Sequence, residues 1–207
     1  MKSFEIRKTN DGSPAFYSFE FEELSHSQTS SYEETYKYFI EGTNFLHLLN
    51  QKIPRILEIG FGMGINYSYF KKHSEGKAFD YIGLEKNKDF SEFFPQEVQV
   101  LLGNATEEVL KITKPFDIII HDAFSTKKEH ELWSLSFLKH LKHLLEPEGI
   151  LSTYCTHPRV MKTFFEAGWF LEKKEGLAPK KASLRAYVQY REDGNLRDLV
   201  KNNFVFE

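Results

Sequence analysis

Residues 57–66 read LEIGFGMGIN, a short apolar run followed by glycines at alternate positions, Gly60, Gly62 and Gly64. Glycines in such a loop allow a tight turn and let a ligand approach the backbone closely. The dinucleotide-binding fingerprint requires the spacing G-x-G-x-x-G, whereas Ile65 follows the third glycine here and the spacing is G-x-G-x-G. A P-loop requires Gly-Lys-Ser/Thr, and this loop contains no lysine. The loop therefore predicts a ligand site and disfavours phosphate as the group bound.

The chain around this loop alternates short apolar runs with amphipathic stretches, which is typical of an α/β fold. We expect a Rossmann-like, doubly wound and mostly parallel sheet of seven strands, with ligands binding outside the carboxyl ends of the strands. The predicted strands are Arg55–Gly60, Ala78–Leu84, Val98–Gly103, Phe116–His121, Ile150–Thr156, Trp169–Lys174 and Leu184–Tyr190. The predicted helices are Ile65–His73, Asn87–Phe94, Ala105–Ile112, Glu131–Leu145 and Arg159–Ala167.

The first 50 residues have a different pattern. Phe4–Lys8 and Ala15–Phe21 are rich in aromatic residues and flank TNDGSP, which predicts a β-hairpin. Ser31 and Glu34 have the spacing of a capping box at the start of a helix. We therefore predict a hairpin and helix appendage over residues 1–50, an α/β domain over 51–191 and a C-terminal tail over 192–207.

Composition predicts a cytoplasmic protein with no membrane partner. The chain has 207 residues, of which 41% are hydrophobic, and a single cysteine, Cys155, which excludes an internal disulfide framework. No stretch is long or apolar enough for a signal peptide or a membrane span. The net charge is −3, but acidic residues concentrate in residues 1–50 and basic residues in 151–191. That asymmetry fits either a basic face for a polyanion or an ordinary solvated surface.

The second predicted strand ends in an acidic residue that helps to identify the ligand. Glu85 follows the glycine loop by roughly 20 residues, where a carboxylate can accept hydrogen bonds from both hydroxyls of a ribose. Together with the glycine spacing, this favours an adenosine without pyrophosphate, namely S-adenosylmethionine. Asn104, after the third strand, has a side-chain oxygen that can meet an adenine amino group. The alternatives are that Glu85 caps a helix or pairs with Lys86 or Lys88, and that Asn104 is a turn residue.

The fourth strand ends in His121-Asp122, which puts Asp122 at the carboxyl end of a central strand. At this point the sequence resembles the MnmC-like methyltransferase family, the methyltransferase half of the bifunctional tRNA 5-methylaminomethyl-2-thiouridine biosynthesis protein. The resemblance covers nearly the whole chain. It is carried by DGSPAFYS, LSHSQTS, YFIEGTNFL, LEIGFGMGIN, HDAFSTKKEHELW, TYCTHPRVMKTFFEAGW and EGLAPKKASLRAY.

The resemblance implies a class I S-adenosylmethionine-dependent methyltransferase fold and an N-methyltransferase. It also implies a substrate, the 5-aminomethyl group of wobble 5-aminomethyl-2-thiouridine in tRNA. Bifunctional members carry an oxidase domain that prepares the amine, so for this chain a separate enzyme is expected to supply it. Two residues depart from the family pattern. Asn104 replaces a usual aspartate, and His121 replaces a usual apolar residue, which is expected to alter local pKa values or substrate choice.

We expect Asp122 to act as the catalytic residue, accepting a hydrogen bond from the neutral amine and directing its lone pair at the methyl group. The alternative is that Asp122 caps a helix that starts near Ser125. No metal is predicted, because the histidines lack ligand spacing. The predicted cofactor-binding residues are Glu58, Gly60, Phe61, Gly62, Met63, Gly64, Asn66, Glu85, Lys86, Asn104, Ala105 and Asp122.

Binding of tRNA requires groups that contact a base and phosphates. Phe124 is a candidate for stacking on a flipped-out base, with core burial as the alternative. The candidates for phosphate contact are Lys127, Lys128, Lys180, Lys181 and Arg185. Three other functions remain open at this stage, namely an aminopropyltransferase-like enzyme, a small-molecule methyltransferase with residues 26–35 as a lid, and a non-catalytic RNA-binding module. The first of these calls for further acids near Asp122, where the sequence has Lys127 and Lys128 instead.

Overall fold

The computed structural model describes residues 2–178 and 182–190 and contains two sheets. The smaller sheet consists of β1 (Phe4–Lys8), β2 (Pro14–Ser18) and β3 (Glu23–Leu24), which pair antiparallel in chain order. The predicted hairpin is therefore confirmed. The third strand is a correction, because it has only two residues and follows a turn in which Glu22 adopts a positive φ. Two residues are too few to produce an alternating pattern in the sequence.

The larger sheet has seven strands in the order β6-β5-β4-β7-β8-β10-β9. Strands β4 to β8 pair in parallel, and β10 is antiparallel to both of its neighbours. The doubly wound, mostly parallel sheet is thus confirmed. The strands are β4 (Arg55–Ile59), β5 (Asp80–Glu85), β6 (Gln99–Leu102), β7 (Phe116–His121), β8 (Leu145–Thr153), β9 (Phe170–Glu175) and β10 (Ala182–Tyr187).

The predicted helix Ile65–His73 matches the structure and the last one is shifted by one residue, whereas the other three are shorter or interrupted. Ser134 splits the predicted helix Glu131–Leu145, because its extended backbone ends a 3₁₀ turn and its hydroxyl caps the next helix by accepting from the N–H of Phe137. The α-helices are α1 (Ser31–Glu34), α2 (Phe45–Leu49), α3 (Ile65–His73), α4 (Ala105–Glu108), α5 (Leu135–His143) and α6 (Pro158–Glu166). A π-helix follows α1 at Thr35–Ile40, and 3₁₀ turns cover Lys88–Phe93, Val109–Lys111 and His130–Trp133.

The predicted capping box at the first helix is wrong by one residue. The N-cap is Ser30, whose hydroxyl accepts from the N–H of Glu33. Glu34 does not reach back to the cap but accepts from the N–H of Ser27 and lies 3.5 Å from Nδ1 of His26. Both serines satisfy the sequence pattern, and only the packing of the preceding loop decides between them.

The two faces of the large sheet bury separate apolar cores, which is the arrangement of a doubly wound fold. Along β7, where all residues are buried, Ile119 packs with α5 and α6, whereas Ile118 and Ile120 pack with the π-helix, α2 and α3. Because side chains alternate between the two faces of a strand, β7 contributes side chains to both cores. This central strand ends at His121, directly before Asp122.

The small sheet packs against the large one through aromatic side chains. Phe4 and Phe16 contact Phe90 with ring centroids 4.3 and 4.5 Å away, respectively. Phe90 lies in the 3₁₀ turn after β5, so the appendage is fixed at the carboxyl end of the strands. The domain boundaries at 50 and 191 stay predictions, and the tail at 192–207 lies outside the described residues. Within the described chain, no helix is long and apolar enough to cross a membrane.

Two leucines on α5 provide a test of this packing. Leu138 is fully buried in the core between α5, α6 and the sheet, whereas Leu135 is 38% exposed. We expect Leu138→Ala to lower the free energy of unfolding by about 2–5 kcal/mol through lost burial and a cavity. Leu135→Ala should lower it by less than about 1 kcal/mol. Urea unfolding measures both, and equal losses would contradict the packing described.

Candidate active site

A cavity of about 440 Å³ lies at the carboxyl ends of β4, β5 and β7. The small sheet covers it from the other side, through Phe16, Glu23 and the residues that follow β3. The volume falls in the range that binds small molecules. The cavity is at the edge where doubly wound sheets bind ligands, as the sequence predicts.

The glycine loop forms one wall of the cavity, and its glycines are required by contacts within the protein. Gly60, Gly62 and Gly64 all have positive φ values, of 86°, 55° and 74°. A Cβ on Gly60 would lie 2.8 Å from the carbonyl oxygen of Asp122, and one on Gly62 would lie 2.9 Å from the ring of Phe16. The glycines thus let the loop after β7 and the small sheet approach, in addition to shaping a surface for a ligand.

Glu85 is buried at the end of β5 and ties two loops together. One of its carboxylate oxygens accepts from the N–H of Gly62 and the other from the N–H of Asn87, both at 2.7 Å. Burial raises the pKa of Glu85, and these backbone hydrogen bonds oppose the rise. Each carboxylate oxygen has a second lone pair, and Glu85 lines the cavity, so it can also accept from a ligand hydroxyl. The pairing partner of Lys86 is Glu20, at 3.7 Å, rather than Glu85.

Asn104 lines the cavity, but its side-chain oxygen is already used. That oxygen accepts from the N–H and the hydroxyl of Thr106, at 3.0 and 2.9 Å, and so caps α4. The amide nitrogen is 3.4 Å from Oε1 of Glu131. The predicted contact between this oxygen and an adenine amino group therefore needs revision, because the group that can reach a ligand is the amide N–H.

A chain of buried polar groups lies beneath the glycine loop. Glu58 is fully buried on β4, and its oxygens accept from Nδ2 of Asn66 at 2.6 Å and from the hydroxyl of Tyr81 at 2.7 Å. Burial raises the pKa of Glu58 well above its usual value, and the two donors oppose this. The same Nδ2 of Asn66 donates to Oδ2 of Asp122 at 2.9 Å. Glu58 is therefore a support under the site rather than part of the cavity wall.

Asp122 follows β7 directly and lines the cavity next to the glycine loop. Its backbone N–H donates to the carbonyl of Ile59 at 3.0 Å, which fixes the spacing between the two loops. The helical turn that follows starts at His130, with Glu129 at its N-cap position. This geometry does not favour the alternative in which Asp122 caps a helix that starts near Ser125.

Two more carboxylates reach the end of the cavity where Asp122 lies. Oε2 of Glu129 accepts from the N–H of Phe124 at 2.9 Å, and Oε2 of Glu23 accepts from the hydroxyl of Ser125 at 3.0 Å. The hydroxyl of Tyr154 donates to the carbonyl of Ala123 at 2.9 Å. Burial raises the pKa of Tyr154 well above its usual value, and the charges of Asp122, Glu23 and Glu129 add to the rise.

Aromatic rings line the side of the cavity that the small sheet covers. Phe124 is half-buried, with its ring centroid 4.6 Å from that of Phe21 and 6.1 Å from that of Phe16. All three residues line the cavity. Both alternatives from the sequence, core burial and a place in the site, therefore apply to Phe124. It packs against the cluster of Phe4, Phe16 and Phe90 and also lines the cavity.

Most of the predicted cofactor residues come together, although in different roles. Phe61 points its ring into the core against Tyr81 and Phe94 and offers the cavity mainly its backbone. Glu58 and Gly64 lie next to the cavity but do not line it. The predicted residues that line it are Gly60, Phe61, Gly62, Met63, Asn66, Glu85, Lys86, Asn104, Ala105, Asp122 and Phe124.

The structure describes three of the five predicted phosphate contacts, Lys127, Lys128 and Arg185. Lys127 and Lys128 are exposed on the turn after Phe124. The Arg185 side chain is 12% exposed, its Nη2 donates to the carbonyl of Glu41 at 2.8 Å and its Nη1 lies 3.9 Å from Oε2 of Glu172, so these protein contacts compete with the predicted phosphate contact. Because side chains alternate between the two faces of a strand, Arg185 of β10 lies on the face of the sheet that packs against the π-helix. Lys180 and Lys181 lie outside the described residues.

His121 is a core residue and not a titratable group of the site. It is fully buried, and its Nε2–H donates to the carbonyl of Leu132 at 2.8 Å while its ring packs 4.1 Å from that of Trp133. Burial lowers the pKa of His121 to about 4, so it is neutral at physiological pH. The effect that His121 was expected to have on local pKa values or substrate choice therefore cannot come from a charge on its ring. Among the described residues, no cluster of histidine, cysteine and carboxylate side chains could hold a metal ion.

Several residues that line the cavity were not predicted as site residues from the sequence. Ser3, Glu23, His26, Asn87, Glu129 and Tyr154 all line the cavity. Glu129 and Tyr154 lie within the segments that carry the family resemblance, which was the available signal. For Glu23 no local signal exists, because its position depends on how the small sheet docks.

Glu129 gives the folded protein a specific pH dependence. Burial raises its pKa from 4.5 to about 7, with Glu85 contributing by repulsion. The folded protein keeps this proton when the unfolded chain has lost it, so stability falls as the pH rises from about 4.5 to 7. Glu129→Gln removes the charge and keeps an acceptor for the N–H of Phe124. We expect it to be more stable than wild type by about 1–2 kcal/mol at pH 8 and about equal near pH 4.

Urea unfolding at the two pH values measures this difference. Glu107→Gln, on the exposed face of α4, is the matched control and should follow the wild type at both. A Glu129→Gln variant that is less stable than wild type at pH 8 would contradict the buried environment assigned to Glu129.

Comparison with known proteins agrees with the geometry. The chain matches a family described as S-adenosyl-L-methionine-dependent methyltransferase over residues 71–189, more than half of its length. The matched region starts after the glycine loop and includes the loop after β7. The chain is also 26% identical to the tRNA 5-methylaminomethyl-2-thiouridine biosynthesis bifunctional protein MnmC of Leptospira interrogans. This match covers 80% of the chain and 32% of that protein. The chain spans less than two thirds of the length of the curated relatives that it first matches.

Solved structures show the same fold. The crystal structure of MnmC2 from Aquifex aeolicus matches with a TM-score of 0.83 and 26% identity, covering 98% of this chain and 76% of that one. Spermidine synthase from Thermotoga maritima matches with a TM-score of 0.63 at 16% identity, covering 97% of this chain and 75% of that one, which is a likeness of fold alone. With a class I methyltransferase sheet, a glycine loop and a cavity at the carboxyl ends of its strands, this chain belongs to the family of S-adenosyl-L-methionine-dependent methyltransferases that contains the MnmC methyltransferase domain.

Proposed function

We propose that this methyltransferase transfers a methyl group to the primary amine of 5-aminomethyl-2-thiouridine at the wobble position of tRNA. The observation that carries the proposal is the group of carboxylates at one end of the cavity, Asp122, Glu23 and Glu129, beside the glycine loop. An alkyl amine is cationic in water, and a set of acidic groups in a half-buried cavity favours a cationic ligand. The name of the Leptospira relative gives the nucleoside.

The donor set of the cavity fits S-adenosylmethionine. In the proposal Glu85 accepts from the ribose hydroxyls, the amide N–H of Asn104 donates to the adenine ring, and the backbone of Gly60 and Gly62 makes close contact with the cofactor; all four residues line the cavity. When bound, S-adenosylmethionine supplies a methyl group on a sulfonium, which is an excellent leaving group.

The amine has to release its proton to solvent before it reacts, and Asp122 then has to orient it. An ammonium has no lone pair, so the amine must be neutral when it attacks the methyl carbon. In the proposal Asp122 accepts a hydrogen bond from the amine N–H, directs the lone pair and stabilises the positive charge that develops on nitrogen. Holding the nucleophile in line supplies several kcal/mol of the barrier reduction, so a small displacement of Asp122 is costly.

The recognition of tRNA relies on the rim of the cavity. Phe124 and Phe21 offer rings on which a flipped-out uridine can stack. Lys127 and Lys128 lie a few residues beyond Phe124 and are exposed, so they suit contacts to the phosphates that flank the base.

Asp122→Asn tests the catalytic part of the proposal. The variant keeps the shape of the side chain and an acceptor oxygen but loses the charge that stabilises the developing ammonium. We expect methyl transfer to fall by about 100-fold or more, with the affinity for S-adenosylmethionine within about threefold of wild type. Mass spectrometry of wobble nucleosides, from tRNA incubated with labelled cofactor, measures transfer, and calorimetry measures cofactor affinity.

The control for this experiment is Asp80→Asn at the other end of β5, where the side chain is 67% exposed. It should leave both readouts near wild type. Full transfer by Asp122→Asn would remove Asp122 from the mechanism. If the wild type does not bind S-adenosylmethionine, the non-catalytic RNA-binding module becomes the better account.

Charge reversal at Lys127 and Lys128 tests the tRNA contact. We expect the double variant to bind tRNA about tenfold or more weakly, and the slope of log affinity against log salt to become shallower by about one to two. The matched control reverses Lys111 and Lys114, which are exposed and precede β7 at the opposite edge of the sheet. Equal effects of the two double variants would indicate a general loss of charge attraction and not a docking site.

One observation favours a second candidate function. Aminopropyl transfer to a polyamine uses a related sulfonium and requires acids around the acceptor, and Glu23, Glu129 and Glu131 line the cavity near Asp122. The sequence analysis expected lysines there instead. Incubation with a short diamine and the decarboxylated cofactor, with product detection by mass spectrometry, separates the two functions. Methyl transfer to tRNA without aminopropyl transfer supports the main proposal.

A further inference from the structure

The amide of Asn66 joins two carboxyl groups under the glycine loop. A single nitrogen, Nδ2, lies 2.6 Å from Oε1 of Glu58 and 2.9 Å from Oδ2 of Asp122. Asn66 is 3% exposed, on the first turn of α3. Because a primary amide nitrogen carries two protons, it can donate one to each carboxyl group.

The hydrogen-bonding chemistry fixes which way this amide faces. A carboxylate accepts hydrogen bonds and does not donate them, so the nitrogen of Asn66 must face Asp122. The amide oxygen then faces the hydroxyl of Thr35, 2.6 Å away. Thr35 is fully buried, and its hydroxyl is also 2.9 Å from the carbonyl of Ser31. With the amide reversed, its oxygen would point at the carboxylate oxygen of Asp122, which is repulsive.

The network therefore joins the N-terminal segment to the loop after β7. Thr35 is the first residue of the π-helix, which the sequence analysis assigned to the appendage. The far end of the network is anchored by the hydroxyl of Tyr81 on β5, which donates to the second oxygen of Glu58. Both polar atoms of the Asn66 side chain, Oδ1 and Nδ2, have protein partners. A side chain whose role is to bind a ligand would be expected to have a polar atom available for it.

We propose that Asn66 is a positioning residue for Asp122, and that Thr35 holds the Asn66 amide in the orientation this requires. The N-terminal segment then completes the reaction centre from beneath the glycine loop. The inference rests on the proposed function only in taking Asp122 as the group that meets the amine. It replaces direct cofactor contact as the role of the Asn66 side chain.

The two roles predict different changes in kinetics and binding. A positioning residue affects the orientation of Asp122, so Asn66→Ala should lower kcat for methyl transfer by about 30-fold or more, with the affinity for S-adenosylmethionine within about threefold. A cofactor ligand would lower that affinity in parallel with kcat. Thr35→Val, which removes only the hydroxyl, should lower kcat by about three- to tenfold, and Thr35→Ser should restore it.

A readout on the protein without cofactor separates this inference from the proposed function. The Asn66 N–H stabilises the charged form of Asp122, so its removal should raise the pKa of the Asp122 carboxyl. Carbon-detected NMR of aspartate-labelled protein follows that titration, and Asp122→Asn identifies the signal by its absence. The shift to higher pH should be large in Asn66→Ala and smaller in Thr35→Val. This holds even if tRNA proves to be the wrong substrate.

The matched control is Thr43→Val. Thr43 is also fully buried near the end of the π-helix, and its hydroxyl donates to the carbonyl of Phe39 at 2.5 Å without reaching Asn66. It should leave the Asp122 titration and kcat near wild type, whatever it does to stability. The inference is overturned if Asn66→Ala and Thr35→Val leave the Asp122 titration unchanged. It is also overturned if Thr43→Val moves that titration as much as Thr35→Val.

Discussion

The hydrogen bond from the backbone N–H of Asp122 to the carbonyl of Ile59, at 3.0 Å, ties the end of β7 to the end of β4. It brings the two loops so close that a Cβ on Gly60 would meet the backbone of Asp122. The spacing between the backbones of the glycine loop and of the loop after β7 is therefore set by the sheet, and the amide of Asn66 donates to the carboxylate that this spacing presents. A reaction that needs a donor and an acceptor in line gains most from such a rigid frame.

The cavity built on this frame concentrates acidic groups that are expensive to bury. Burial raises the pKa values of Glu58, Glu85 and Glu129, which lie in the cavity wall or directly beneath it. Two kinds of partner offset this cost, namely the polar network of Asn66, Tyr81 and backbone N–H groups, and a cationic ligand. The same acidity that lowers the stability of the protein at neutral pH thus favours a cationic ligand.

The sequence predicted the frame well and the details of the site less well. The predicted strand Phe116–His121 and the predicted helix Ile65–His73 match the structure, because each has a continuous local pattern. Asp122 and the glycine loop were located for the same reason. Glu23 and Thr35 reach the site only through docking of the small sheet and the π-helix, and the Arg185 side chain turns to the carbonyl of Glu41 at the end of that helix. Such contacts join distant segments, and no local pattern encodes them.

A crystal structure of the protein with S-adenosylhomocysteine and a tRNA anticodon stem-loop carrying the aminomethyl uridine tests the central claim most directly. We expect the adenosyl group to contact Gly60 and Gly62 and its ribose hydroxyls to donate to Glu85. The substrate amine should lie within hydrogen-bonding distance of Asp122, on the side of Asp122 that faces the sulfur. An adenosyl group bound elsewhere, or an Asp122 carboxylate separated from the sulfur by protein, would contradict it.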